Sequence, residues 1–353
     1  MSYDFRRGQV HVDVDRSHLA HSRRPRAERR LSARLRSSRT ANGRSAPCGI
    51  DQGQIVTQVG QNNGSGAASG PRDPTLTSHD NQNMVRTYGV RVVRRVAHPG
   101  RGFTQGLLSE GGTVWESVGN YRQSELRRYA LADDKSDGRS GTHADRRGTL
   151  DARVQLGPEF FAEGICRVGD TIWQLTWKEL VAFRWDAASL TLRDKVRFNR
   201  EGWGMCAVVA RGPSGELITP EVVTSNGTGE LVRRDPDTLE QREIVHVRCQ
   251  GARVRWLNDL TWAEGLVWAN VAGTNCLAGI DLASGEVTDI VDARAAAERH
   301  WRDPQAIMNG IAAMASSGEF LLTGKTWRSI RQVRVVPGRD HGHVERLLRG
   351  WQA

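Results

Sequence analysis

The sequence predicts an all-β fold, a five-bladed β-propeller preceded by a disordered Arg-rich N-terminal segment. Three observations carry that expectation. Five segments between residues 112 and 335 share one internal shape: an apolar or aromatic strand, a short polar turn and a second strand. Trp115, Trp173, Leu217, Trp268 and Phe320 stand at corresponding places in them, 44 to 58 residues apart, and a strand-rich, Gly-punctuated repeat of this period marks propeller blades. Helical periodicity is weak along the whole chain. About 250 residues at roughly 50 per unit make five blades. Alternation alone would also fit a β-sandwich, which does not explain a five-fold recurrence.

The elements follow in order. The tail spans residues 1–85, the propeller 86–337 and a C-terminal tail 338–353. The tail holds an Arg run, HSRRPRAERRLSARLRSSRT, and then a Gln/Asn/Gly/Ser stretch. Such a segment buries too little apolar area to offset its conformational entropy. The repeated segments are GTVWESVGNYRQSELRRYAL (112–131), GDTIWQLTWKELVAFRWD (169–186), GELITPEVVTSNGTGELVRRD (215–235), EGLVWANVAGTNCLAGID (264–281) and GEFLLTGKTWRSIRQVRV (318–335). Three of them run into a turn headed by an aspartate, at Asp186, Asp235 and Asp281, and Asp side chains favour turns by bonding to backbone two residues on. The Ala-rich stretch DARAAAERHWRD (292–303) reads as a short connecting helix.

Composition excludes several functions. The 353 residues carry 50 Lys+Arg against 40 Asp+Glu, a formal charge of +10, and 46 of those cations are Arg. Residues 1–83 hold 13 Arg and seven acids, so the basic excess belongs mostly to the tail. It reads as a solvated arm in preference to a nucleic-acid-binding one. No stretch approaches the ~18 uncharged apolar residues of a membrane span. No apolar core follows the basic N-terminus as in a secretory signal, and Met84, where the composition changes, is an alternative start. The five cysteines, Cys48, Cys166, Cys206, Cys249 and Cys276, are odd in number and far apart, with no CxxC pair for zinc or redox chemistry. Nucleotide-binding glycine loops, HExxH and GxSxG are absent. His341 and His343, in a late polar HGH, read as solvent-exposed.

What recurs instead is a set of carboxylate, amide, ammonium and indole groups on or beside the first strand of each unit. FTQGL places Phe103 and Gln105 on one face of a strand, and FFAEGI does the same with Phe161 and Glu163. QLTW ends in Trp177, EGWG sets Trp203 between glycines, WLND contributes Asn258 and TGKTW contributes Lys325. In a propeller the inner strands line a central channel, so such residues would converge at one mouth. Each also has a plainer reading: indoles in blades are mostly core, a Glu beside Gly is often a turn carboxylate, and Asn258 could cap a turn. Lys325 is conspicuous in a chain that strongly prefers Arg, because a flexible point charge stands where a planar fork would be the default.

FTQGLL, ES.G.Y at 116–121, EG at 163–164, QLTW, GWG, LND, ANV, MNGIA and TGKTW, in this order, resemble the plant-type glutaminyl-peptide cyclotransferase (glutaminyl cyclase) family over residues 90–336. The resemblance implies a five-bladed propeller. It also implies an acyltransferase that converts the N-terminal glutamine of a peptide or protein to pyroglutamate with release of ammonia. It assigns Glu163 as general base and then acid. Gln105 and Asn258 would hydrogen-bond the substrate, Phe103, Phe161, Trp177 and Trp203 would form a partly dry pocket, and Lys325 would steady the carbonyl oxygen. It implies no cofactor in the chemistry and often a structural calcium ion, whose ligands the sequence does not place. Family members are largely exported, whereas the absence of a signal points to the cytoplasm. A ring of blades closes within one chain, so a monomer is expected.

Departures from the family pattern stand at Ala272 and Asn275, where an indole and an acid are usual, at Asp259, one methylene shorter than the usual Glu, at Ala162, and in the Arg/Asp-rich expansion of 133–148. Ala272 and Asn275 favour the alternative of a catalytically inactive propeller that binds peptides or proteins.

Overall fold

The computed structural model describes residues 2–4, 9–11, 85–131, 150–209, 220–298, 303, 305–314, 316, 318–338 and 342–352. The chain divides into two units, residues 1–78 and 79–353. In the first, β1 (Ser2–Asp4) and β2 (Gln9–His11) pair antiparallel with Tyr3 opposite Val10, a departure from the disorder expected there. So short a pairing closes only a small loop and needs no core. The Arg run lies outside the described residues, as do Leu217, residues 133–148, residues 299–302 and His341.

The second unit is built of antiparallel meanders. It begins with the long strand β3 (Arg86–Ala97). The first meander is β4 (Thr104–Glu110), β5 (Thr113–Val118), β6 (Glu125–Ala130) and β7 (Leu150–Gln155). The second is β8 (Ala162–Val168), β9 (Thr171–Thr176), β10 (Val181–Asp186) and β11 (Leu192–Arg197). The third is β12 (Met205–Val208), β13 (Glu221–Ser225), β14 (Glu230–Arg234) and β15 (Gln241–His246). After a small hairpin, β16 (Arg248–Cys249) with β17 (Ala252–Arg253), comes the fourth: β18 (Leu257–Ala263), β19 (Leu266–Val271), β20 (Cys276–Ile280) and β21 (Val287–Asp292). The last has β22 (Met308–Ala313), β23 (Glu319–Gly324) and β24 (Ser329–Pro337), and helix α1 (Gly342–Gln352) follows.

The last meander takes its fourth strand from the other end of the unit. β24 pairs antiparallel with β3, from Ser329 opposite Ala97 to Pro337 opposite Tyr88. β3 also pairs in parallel with β21, from Arg86 opposite Asp289 to Gly89 opposite Asp292, which joins the last two meanders into one eight-stranded sheet. The first strands pack on one another in the order β4, β8, β12, β18, β22 and back to β4.

Local chemistry explains these elements. β4 and β5 are joined by Gly111 and Gly112, both at positive φ (57° and 81°), the backbone of a two-residue hairpin turn whose twist matches the strands. The aspartate turns form as expected: Asp186 Oδ1 accepts the N–H groups of Ala188 and Ser189 at 3.1 and 2.8 Å, and Asp235 Oδ1 those of Asp237 and Thr238 at 2.9 Å. These turns meet the recurring indoles. Trp115 Nε1 donates to Ala187 O in the next meander's turn at 3.2 Å, and Trp173 Nε1 to Pro236 O at 2.9 Å. The repeat is therefore an inter-sheet joint: the ring fills the core while its N–H pins the neighbouring turn. In the third meander this place belongs to Val223, which faces Cys206 as Trp173 faces Cys166. Replacing Trp173, which is 1% exposed, by Ala is expected to lower unfolding free energy by about 3–5 kcal/mol, read from urea denaturation.

Two expectations are corrected. No helix forms in the described part of 292–303: Arg294–Ala296 is a turn, with Ala296 N bonded to Ala293 O at 2.9 Å. Ala293 and Ala296 are buried, so these alanines serve close packing and not helix propensity. The C-terminal tail, conversely, contains α1. Its Val344, Leu347, Leu348 and Trp351 recur at helical spacing and pack on the core cluster of the third and fourth meanders, and burial of such a stripe is what stabilises a short helix.

Candidate active site

Four of the five first strands carry a β-bulge at the same level. Thr104 pairs with Val118 but Gly106 with Ser117, and the same extra residue appears between Ala162 and Ile165, Leu257 and Leu260, and Met308 and Ile311. A bulge re-aims a side chain out of the alternating pattern. The bulged residues are Gln105, Glu163, Asn258 and Asn309, each followed by Gly or Asp. Glycine follows because the strands nearly touch: a Cβ on Gly106 would lie 2.7 Å from Ile165 N, and one on Gly204 would run into the Asn258 carbonyl oxygen.

Asp259 takes that inner place in β18. Its Oδ2 accepts the backbone N–H groups of Leu107 at 3.1 Å and Ile311 at 2.9 Å, so one buried carboxyl ties β18 to β4 and β22. Burial pushes its pKa well above the usual carboxylate range, against the pull of those backbone bonds.

The bulges bring together a buried polar chain. Asn309 Nδ2 donates to Gln105 Oε1 at 3.1 Å and to the Thr104 carbonyl at 3.1 Å, and Gln105 Nε2 donates to Glu163 Oε1 at 3.0 Å. Glu163 is 5% exposed. Burial drives its pKa well above the ordinary value; the Lys325 ammonium opposes this, while Glu201, Asp259 and Glu179 add to it. Burial likewise lowers the Lys325 pKa, opposed by Glu163. Lys325 Nζ stands 4.7 Å from the Phe103 ring centroid, a cation–π contact.

Aromatic rings wall the recess. Phe161 meets Phe103, Tyr121 and Trp177 edge-on, with centroids 6.3, 5.4 and 5.5 Å away. Trp203 lies against Gly227, where a Cβ would sit 2.6 Å from its ring, and 6.4 Å from tilted Trp256. Buried polar atoms here without a protein partner include the Trp203 Nε1 donor and the acceptors Asn258 Oδ1, Asn309 Oδ1 and Asp259 Oδ1. Each is a cost that a ligand would relieve.

All eight sequence-predicted site residues fall at this end of the sheets, and Phe103, Gln105, Phe161, Glu163, Trp177 and Lys325 are directly linked as above. Asn258 shares the bulge level, but its side chain makes no hydrogen bond to Glu163; its carbonyl accepts Ser225 Oγ at 2.8 Å. Trp177 and Lys325 directly follow the second strands β9 and β23 and lie beside the starts of the first strands, with Trp177 N bonded to Phe161 O and Lys325 N to Ile307 O, both at 2.9 Å. Second strands run antiparallel to the first, so their C-terminal ends reach the mouth where first strands begin.

The sequence reading passed over Asn309, the tie made by Asp259, and a rim of Tyr121, Glu179 and Glu201. Tyr121 Oη donates to Glu179 Oε1 at 2.8 Å, and Glu201 accepts a side-chain hydrogen bond from Trp177 while burial raises its pKa. A signal for Asn309 existed: it precedes Gly310 as Gln105 precedes Gly106 and Glu163 precedes Gly164. Ala272, in the place of a usual indole, is buried and donates its N–H to Trp256 O at 2.8 Å.

No group of three or more His, Cys, Asp or Glu side chains able to hold a metal converges among the described residues, so the calcium ion the resemblance implies finds no carboxylate cage there. Cys166, Cys206, Cys249 and Cys276 are buried free thiols, and burial pushes the Cys249 and Cys276 thiols up to about 12. No helix among the described residues is long and apolar enough to cross a membrane.

Comparison with known proteins agrees with this arrangement. The chain is 27% identical over 251 residues to a glutaminyl-peptide cyclotransferase of Arabidopsis thaliana, covering 70% of this chain and 71% of the relative. The crystal structure of Myxococcus xanthus glutaminyl cyclase superposes with a TM-score of 0.60 at 28% identity, over 72% of this chain and all of that one. The family profile of glutamine cyclotransferases matches residues 68–335, and the chain belongs to that family.

Proposed function

We propose that this enzyme closes the N-terminal glutamine of a peptide or protein into pyroglutamate, with Glu163 relaying the proton. The observation that carries the reading is the buried Glu163 carboxyl, held by Gln105 and facing Lys325 in an aromatic recess. We further read the meanders as five blades around one axis. The cyclic packing of first strands, and a last blade completed by β3, support this; such a ring closes within a single chain.

The substrate's α-amine, with an ordinary pKa near 7.7–8.0, is drawn to a rim carrying Glu179 and Glu201 and sheds one proton. Folding the side chain back sets the amine against its own γ-carbonyl carbon, a ring closure that needs mainly positioning. The nitrogen lone pair forms the new C–N bond as the carbonyl π pair moves onto oxygen. That oxygen's charge develops beside the Lys325 ammonium and within reach of a free donor such as Trp203 Nε1. Glu163 takes the surplus proton from the attacking nitrogen and delivers it to the departing amide nitrogen. The old C–N bond then breaks, ammonia leaves, the carbonyl re-forms and Glu163 is ionised again. Gln105, itself fixed by Asn309, keeps the carboxyl aimed.

Incubation with a Gln-initiated dipeptide, with released ammonia measured, tests the activity; ammonia no faster than from Glu163→Ala overturns it. Peptide binding without turnover would instead support a binding module. Lys325→Met is expected to lower kcat about 10²–10³-fold, the size of losing one oxyanion donor. Removing that cation also raises the Glu163 pKa further, so the acid limb of the kcat/KM profile moves to higher pH.

A further inference from the structure

A second concavity opens beside the recess. It has a volume of about 890 Å³ and is lined by Phe103, which belongs to the recess, by Gly119, and by Thr326, next to Lys325. Gly119 is the shared wall between the two: a Cβ there would lie 2.5 Å from Phe161 Cε1 and 2.8 Å from Gln105 Cγ, so the groove's backbone packs directly against the side chains of the recess.

The charges in this groove are unequal. Arg127 is bound to Glu125 and donates to the Pro99 and Arg101 carbonyls at 3.3 and 3.2 Å, so these two charges cancel. Asp303 accepts Thr326 Oγ1 and Gln305 N, both at 2.9 Å. Arg101 and Arg328 also line the groove, both exposed, and their guanidinium groups make no hydrogen bond or ion pair among the described residues. Two uncommitted cations thus face one anion that is already hydrogen-bonded.

We propose that this groove takes the residues following the N-terminal glutamine and prefers a carboxylate side chain at the second or third position. The inference rests on the cyclase reading. If the glutamine occupies the recess, the chain leaving its α-carbonyl needs an outlet, and the groove is the adjoining one. The two guanidinium forks match carboxylate geometry.

The test compares C-terminally amidated Gln-Glu-Ala, Gln-Ala-Glu, Gln-Lys-Ala and Gln-Ala-Ala; amidation removes the terminal carboxylate as a rival source of charge. One of the two Glu peptides is expected to exceed Gln-Lys-Ala in kcat/KM by about 5- to 20-fold at low salt, as for two partly exposed ion pairs, with the gap closing as salt is raised. Arg101→Glu combined with Arg328→Glu should reverse the order while leaving Gln-Ala-Ala within about 2-fold of wild type. Equal rates for acidic and basic peptides, or a preference that survives the double reversal, overturns the groove. Failure to turn over Gln-Ala-Ala overturns the cyclase reading instead. Calorimetric affinities of the same peptides for Glu163→Gln then decide the groove separately: an acidic preference sensitive to the two arginines supports it, and none refutes it.

Discussion

Glu163→Gln should remove nearly all turnover while leaving the fold intact. The amide has almost the volume of the carboxyl, so packing in the recess is conserved, but it can neither accept the attacking nitrogen's proton nor return one. A loss of about 10²–10⁴-fold in kcat is expected for a general acid–base group, equivalent to roughly 3–5 kcal/mol of barrier. KM should change little, since Gln105, the aromatic walls and the rim still hold substrate. A single-turnover ammonia assay checks this, and a variant with more than about a tenth of wild-type kcat would remove Glu163 from the proton path. The wild-type pH profile gives a second check. Glu163 works only when ionised, and burial raises its pKa. Activity should therefore fall as pH drops through a value above the ordinary ~4.3 of a glutamate. An acid limb at or below that figure would contradict the buried, poorly solvated carboxyl.

Asp259→Ala should be the most destabilising polar substitution on the first strands. It leaves the Leu107 and Ile311 N–H groups buried without an acceptor, at about 1–3 kcal/mol each, hence roughly 2–6 kcal/mol in all. Asp259→Asn keeps an accepting oxygen and is expected to cost about 1 kcal/mol or less near pH 5. The pH dependence separates charge from shape. A carboxyl whose folded pKa lies above its unfolded value holds more protons folded than unfolded between the two. Its stabilising contribution is full below the unfolded value and declines as pH rises toward the folded one. Wild-type stability should therefore fall relative to Asp259→Asn as pH rises above the ordinary ~3.9 of an aspartate. Urea midpoints across that range measure it, and parallel curves would show that Asp259 is not desolvated as the structure places it.

The elements whose signal is local were legible. Strand, turn and strand repeat because alternation, paired glycines and aspartate turns act within a few residues, and the described parts of the five segments form strand, turn and strand, with Val223 in the place expected of Leu217. Glu163, Gln105 and Lys325 were found through short motifs of residue types that carry acid–base and charge chemistry. The readings that failed are those in which composition competes with packing. The alanines at 293–297 looked helical but fill a tight turn under a sheet. Val344, Leu347, Leu348 and Trp351 form one helical stripe, hidden in a segment short enough to pass as tail.

By itself, then, the chain's order of residues determined its all-β character and the repeat, since both follow from side-chain type and short-range spacing, and a family resemblance singled out Glu163 as the acid proposed to move the proton. Only the tertiary structure decided how that acid is held. The bulges that turn Gln105, Glu163, Asn258 and Asn309 inward, the near-contact of strands that demands glycine beside three of them, and the burial that raises the Glu163 pKa all arise from segments as much as 205 residues apart. Burial and mutual approach are properties of the packed assembly of strands, and no stretch of sequence read alone contains them.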